Sequence, residues 1–182
     1  MHPVRAVVPA LIVVGCASGS SPSTTTNRPT GPTREVPIAG GAFVTLAPAS
    51  FMVETDIGAP AGEVWRAAAE AYGSLGIEIT LSEPGVRVGN RQFRVRRQLD
   101  GTRLSRFFRC SVDATGRPTA DRYTVTINAV TVVVEVSDLQ SRLQTTVTAT
   151  ARTPTGESND PVMCTSRGLL EERIADLVSA NT

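Results

Sequence analysis

The sequence predicts an α+β fold: a curved antiparallel sheet with one N-terminal and one C-terminal helix packed on it. Three observations predict it. Phe51, Val53, Thr55 and Ile57 alternate with Met52, Glu54 and Asp56, the period of a half-buried strand. Val64, Trp65, Ala68, Tyr72 and Leu75 then recur at three and four residues, the period of a helix with one buried face. Further alternating stretches follow without a helix between them, and a last apolar helical pattern closes the chain.

Each element has its own signals. Gly58-Ala59-Pro60 breaks the first strand, Pro60 suits the first turn of a helix, and Glu63 faces the positive end of its dipole. Gly76 is placed to end that helix in a left-handed cap. Ile77, Ile79 and Leu81 alternate, and Pro84-Gly85 turns the chain. Val86 and Val88 lead to Gly89-Asn90, read as a hairpin turn. Phe93, Val95 and Leu99 share one face, opposite Arg94, Arg96 and Gln98, and residues 104–112 read as another strand. Thr115-Gly116-Arg117-Pro118 is a loop.

Val125 and Ile127 alternate inward, after which the phase slips and Val130, Val132, Val134 and Val136 become the expected inward set, through a bulge or a second strand. Leu143, Thr145, Val147, Ala149 and Ala151 oppose a wet face of Arg142, Gln144, Thr146, Thr148, Thr150 and Arg152. Ser166 is the expected cap of the last helix, whose buried face carries Leu170, Ile174, Leu177 and Val178. The adjacent Glu171 and Glu172 are read as a solvated face.

The chain has 182 residues, enough for one domain, and a formal net charge of +1, which implies no global pull toward nucleic acid or membrane. It contains no lysine, so every cation apart from the termini and His2 is an arginine, suited to bidentate pairing with carboxylate or phosphate. Three regions follow: residues 1–15, a signal peptide; 16–37, a tether; and 38–182, a single α+β domain. Residues 6–14 form an apolar run of signal-peptide length, shorter than the ~20 residues that span a bilayer. The segment from Ala17 to about Pro37 is rich in Ser, Thr, Pro and Gly and cannot bury enough surface to fold. Residues 38–49 read either as a short first strand or as an ordered lead-in.

The end of the apolar run, Val13-Val14-Gly15-Cys16, resembles a bacterial lipobox. That resemblance implies cleavage before Cys16 and diacylglycerol on its thiol, with further acylation of the new amine making a lasting anchor. The alternative is an ordinary signal peptide with an incidental cysteine; the tether that follows favours the lipobox. Ala17 is not the aspartate that retains such proteins in the inner membrane of enterobacteria, so the resemblance favours the periplasmic side of an outer membrane, where the cell has one.

The stretch from Phe51 through Ala59-Pro60 to Val64-Trp65 resembles the opening of helix-grip domains. Two groups share it. START-like or polyketide-cyclase-like domains wrap a sheet round a C-terminal helix and often hold an apolar ligand. BamC-like lipoproteins act in outer-membrane assembly, and the run from Glu63 to Leu75-Gly76-Ile77-Glu78-Ile79 is more similar to these. The resemblance covers residues 50–136 and rests on residues that shape the fold and carry no chemistry.

With Cys16 lipidated, Cys110 and Cys164 remain, and an even remainder in an exported protein suggests a disulfide. It would pin the strand around Cys110 to the lead-in of the last helix; two separate buried thiols are the alternative. His2, in the signal peptide, is the sole histidine. A Ser-His or Cys-His hydrolase is therefore ruled out, zinc sites become improbable, and no enzyme activity, metal or cofactor is expected. Gly40-Gly41 lacks the spacing and the lysine of a phosphate loop.

One local feature stands out. Arg87, Arg91, Arg94, Arg96, Arg97, Arg103, Arg106 and Arg109 lie in one stretch with Asp100 as its only acid. Arg94 and Arg96 share a strand face, and Arg103 and Arg106 are expected near them on a neighbour. The functional reading is a face for anions or an acidic partner; the more economical one is a solvated face paired with acids such as Glu78, Glu83 and Glu135. Nucleic acid is disfavoured by the compartment and by the lack of surface aromatics. Trp65 and Tyr72 either line a ligand cavity or, as their helical spacing favours, belong to the core.

Two functions are consistent with this reading. The preferred one is an envelope lipoprotein, held to the membrane through Cys16, with a structural, assembly or protein-binding role. The alternative is a carrier of a lipid or small apolar ligand in a cavity between sheet and last helix. A large apolar void would favour the carrier; a filled core with an exposed arginine face would favour the scaffold.

Overall fold

The computed structural model of the chain describes residues 25–30, 34–37, 43–46, 50–113, 115–153 and 161–182. The expected signal peptide and Cys16 lie outside them. The architecture is α+β, as the periodicities predict: an open antiparallel sheet with an early and a C-terminal helix packed on one face. In chain order the elements are β1 (Thr25–Thr30), β2 (Arg34–Pro37), β3 (Phe43–Leu46), β4 (Ser50–Ile57), α1 (Ala61–Ser74), β5 (Leu81–Glu83), β6 (Arg87–Arg96), β7 (Gln98–Leu99), β8 (Thr102–Arg103), α2 (Leu104–Phe107), β9 (Phe108–Arg109), β10 (Thr124–Ser137), β11 (Gln140–Arg152), β12 (Val162–Ser166) and α3 (Leu169–Ala180).

The main sheet runs β1-β4-β11-β10-β6-β5. β10 and β11 form its long central hairpin, paired from Thr124↔Arg152 to Ser137↔Gln140. β4 and then β12 share the far edge of β11, Phe51 opposite Val147 and Cys164 opposite Ala149. β1 lies in the stretch read as tether, yet it adds to the edge of β4, with Thr25 opposite Thr55. β2, from the same stretch, pairs with β3. Strand addition uses backbone hydrogen bonds and needs no apolar side chains, so composition alone does not signal it; Pro29 is tolerated because β1 is an edge strand.

The core lies between the sheet and the helices. Val53 and Ile57 of β4, Leu143, Val147, Ala149 and Ala151 of β11, and Val125 and Ile127 of β10 meet Val64, Ala68, Ala71 and Tyr72 of α1 and Leu170, Ile174 and Val178 of α3. Each fully buried Val, Leu or Ile contributes roughly 1.5–3 kcal/mol. α1 ends as its sequence predicts. Gly76 takes φ 69°, its amide bonds the Gly73 carbonyl at 3.0 Å, and the Ile77 amide bonds the Tyr72 carbonyl at 2.9 Å. This 5→2 and 6→1 pair is a Schellman cap, with Ile77 and Tyr72 both buried beneath it.

Several expectations are corrected. Gly89-Asn90 is no hairpin turn; both residues lie inside β6, and the turn between β5 and β6 is Pro84-Gly85. Gly89 is there because a Cβ would sit 2.2 Å from the Ala129 carbonyl oxygen of β10. The phase of β10 does not slip. Val125, Ile127, Ala129, Thr131 and Val133 all face inward, and Val134 and Val136 are exposed. Thr131 takes the inward position because the buried Tyr72 hydroxyl needs a partner: it meets Thr131 Oγ1 at 3.1 Å, and Thr131 meets Thr145 Oγ1 at 2.9 Å. Register shifts do occur, one opposite Asn128, where β6 carries the extra residue, and one at Val136, where β10 carries an extra residue against β11.

Residues 104–112 are not one strand. Leu104 and Phe107, three residues apart, are buried by one turn of helix, and Phe108 by the short strand after it. The Asp121 carboxylate accepts from the Ser105 amide and hydroxyl, both at 2.8 Å, and so satisfies the start of α2. Ser166 does not cap α3, which begins after Gly168; its hydroxyl instead accepts from the Gly168 amide and donates to Glu171. Glu171 is not on a solvated face: it is fully buried on the inner side of α3.

Candidate anion-binding face

The helices cover one face of the sheet; among the described residues the other is open and polar. Its rows run across three strands: Arg96–Thr124–Arg152, then Arg94–Thr126–Thr150. In both, a β10 threonine lies between an arginine of β6 and a residue of β11. The next row holds Asn128 and Thr148, whose side chains bond at 3.3 Å, facing the bulge of β6.

The bulge shapes this face. Arg91 and Gln92 together oppose Asn128, so the alternation of β6 resets there: Val88 and Asn90 face inward before it, Phe93 and Val95 after it, and Arg94 and Arg96 outward. Asn90 holds the distortion. Its Oδ1 accepts from the Gln92 amide at 2.7 Å, and its Nδ2 donates to the Glu78 carbonyl at 2.6 Å. A buried asparagine thus supplies hydrogen bonds that the interrupted ladder lacks.

Two shallow grooves meet at the bulge. One, of about 530 Å³, lies on the open face, with a floor of Thr124, Thr126, Asn128 and Thr150 and cations Arg91, Arg94 and Arg152. No carboxylate of the described residues lines it. The second, of about 490 Å³, follows the edge of β6 and includes Glu78, Asn90 and Phe93.

Among the described residues, the carboxylates that form ion pairs do so with other arginines. Among the described residues the ion pairs are Arg87–Glu83, Arg122–Asp113, Arg173–Asp100 and Arg142–Asp56, the last at 2.7 Å. Arg91, Arg94, Arg96 and Arg152 take part in none of them. Asp113 is committed to its own loop: the Thr115 hydroxyl and the Arg117 amide hold its carboxyl well below the usual range.

The structure therefore brings together part of the expected arginine face. Arg94 and Arg96 lie on it as read. Arg103 lies opposite Gln98 in the β7–β8 ribbon, and Arg106 is on α2; neither lines the groove. The chain leaves the sheet after Arg97, whose φ of 66° turns it away. Arg91 and Arg152 were not singled out as site residues. Arg152 is far in sequence, and its one available signal was its position at the end of the threonine-rich face of β11.

Neither Trp65 nor Tyr72 lines a groove described here. Tyr72 is fully buried and its ionisation is suppressed, chiefly by that burial; Trp65 is half-buried and donates its indole N–H to the Arg87 carbonyl at 3.1 Å. Both belong to the packing between α1 and the sheet. Cys110 and Cys164 form a disulfide, S–S 2.06 Å, across β9 and β12, joining the α2–β9 segment to the strand that enters α3 as the sequence suggested.

Glu171 is a further group that sequence reasoning misplaced. Burial pushes its carboxyl up to about 7, and the Ser166 hydroxyl at 3.0 Å offsets part of that. No described residue reaches its Oε1. Among the described residues no group of three or more His, Cys, Asp or Glu is placed to hold a metal, and no helix is long and apolar enough to cross a membrane. No protein-family model, curated protein or solved structure matches this chain.

Proposed function

We propose that this chain is an envelope lipoprotein, anchored through Cys16, that serves a structural or assembly role by binding another envelope protein on the open face of its sheet. The observation that carries this reading is the asymmetry of the sheet. Its inner face is closed by Tyr72, Leu143, Ile174 and their neighbours, all fully buried, while its outer face presents Arg91, Arg94 and Arg152 without carboxylate partners among the described residues. Unpaired guanidinium groups give a surface charge complementarity and orientation for a partner. The lipobox-like Val13-Val14-Gly15-Cys16 and the similarity to BamC-like lipoproteins support the compartment and the role. The carrier alternative has less support, since Trp65 and Tyr72, the residues read as its cavity lining, are engaged in packing.

Native mass spectrometry of the acylated protein, released gently from its own membranes, tests the proposal. The expected result is a protein-sized adduct of one defined mass, lost when Arg94 and Arg152 are changed to Ser. A co-purifying mass of a few hundred daltons beyond the Cys16 lipid, kept in a Cys16→Ser form, would instead establish a carrier.

A further inference from the structure

We propose that the outer groove takes an extended acidic segment of a protein, its carboxylates held by Arg91, Arg94 and Arg152. This deepens the partner-binding reading of the open face and rests on it.

Charge comes first. The groove joins three guanidinium groups to a floor of threonine and asparagine side chains, and no carboxylate of the described residues lines it; Glu78 is confined to the neighbouring groove along the edge of β6. Each guanidinium offers a planar fork of donors that fits a carboxylate, and the floor hydroxyls can donate to its remaining lone pairs.

Shape then selects among anions. Arg94 and Arg152 belong to β6 and β11, on either side of β10 and two residues out of row, so their backbones are about 12 Å apart. An extended chain advances roughly 3.3 Å per residue, so acids three to four residues apart match that span. One isolated oxyanion offers no such reach. A bilayer surface is nearly planar and would meet the arginine tips without filling the threonine floor. The chain's net charge of +1 also gives no general attraction to an anionic membrane. The concave, hydroxyl-floored groove therefore favours a peptide over a lipid surface.

The test uses the full chain in uncharged detergent micelles and a fluorescent hexaglutamate peptide, read by anisotropy at low ionic strength. We expect saturable binding that weakens by about threefold to tenfold in the Arg94→Ser/Arg152→Ser protein, a loss of the size seen for two solvent-exposed charge pairs. Arg66→Ser, on the exposed side of α1, is expected to bind as the parent does. Circular dichroism checks folding, and an Arg94→Lys/Arg152→Lys protein, which keeps charge but loses the forks, is expected to bind between the two. Equal weakening by Arg66→Ser would reduce the effect to bulk charge and overturn the proposal. Preferential capture of phosphatidylglycerol-doped micelles, with no hexaglutamate binding, would overturn it in favour of a lipid headgroup. A native protein adduct that depends on Arg94 and Arg152, in a chain that ignores hexaglutamate, would leave the open-face reading standing and overturn the acidic segment alone.

Discussion

The Ser166 hydroxyl donates to Oε2 of the buried Glu171 at 3.0 Å, and it is the one side chain that bonds this carboxyl among the described residues. The pair joins the end of β12 to the first turn of α3, on the inner side of the domain. Its consequence is a pH dependence. Burial raises the Glu171 pKa from 4.5 to about 7, so between those values the folded chain holds a proton that the unfolded chain has released. Stability is then highest below about pH 4.5 and falls as pH rises toward 7, by an amount on the order of 3 kcal/mol from this group. Urea midpoints measured across that window should show the fall, and Glu171→Gln should flatten it. An identical slope in the variant would assign the effect to another group.

Cys164 lies across from Cys110 with their Cα atoms 4.0 Å apart, closing a separation of 54 residues. Constraining a loop of that length in the unfolded chain is worth about 4 kcal/mol. Reduction, or a Cys110→Ser/Cys164→Ser double change, should lower the unfolding free energy by up to that amount. An unchanged denaturation midpoint under reducing conditions would show that the bond does not hold the closing helix.

The backbone of β10 passes so close to Gly89 that a methyl group there would meet Ala129 O at 2.2 Å and Val130 Cα at 2.9 Å. Both obstacles are backbone and cannot rotate aside. Gly89→Ala should destabilise by about 2–3 kcal/mol, the upper range for overpacking. A loss below half a kcal/mol, measured by thermal unfolding, would mean that β6 and β10 separate more easily than this contact implies.

Asn90→Ala removes the acceptor for the Gln92 amide and the donor to the Glu78 carbonyl. Losing these two part-buried bonds, whose other partners belong to the exposed Gln92 and Glu78, should cost about 1–2 kcal/mol. The change should also disturb Arg91, one residue along the bulge, and so weaken the binding of hexaglutamate. Stability lost with binding intact would show that Arg91 does not depend on the bulge.

Thr55 supplies a prediction of opposite sign. Its hydroxyl is buried in β4 and meets no partner among the described residues. Thr55→Val keeps the shape and removes the unsatisfied group, so it should raise stability by about 1 kcal/mol. Calorimetry decides it, and a loss of stability would reveal a partner for the hydroxyl.

By itself the sequence determined the fold class, the faces of α1 and of β11, the Gly76 cap and the cysteine pair. Each rests on a local period or a simple count. Alternation fixes which side of a strand is apolar, three-and-four spacing fixes the buried face of a helix, and Cys110 and Cys164 are the two cysteines that follow the N-terminal apolar run and its Cys16. Tertiary structure decided the rest, because it depends on which strands lie side by side. Val130, Val132, Val134 and Val136 look more apolar than Ala129, Thr131 and Val133, yet the latter face inward where the Tyr72 phenol requires a hydroxyl. Gly89-Asn90 carries the composition of a turn and serves a close approach and a bulge. Glu171 reads as surface until α3 packs its inner side onto the core. Arg94 and Arg152 are remote in the chain and share one groove because β10 pairs with β6 on one edge and with β11 on the other. That pairing follows from burying one continuous apolar face, a condition no single stretch of sequence contains.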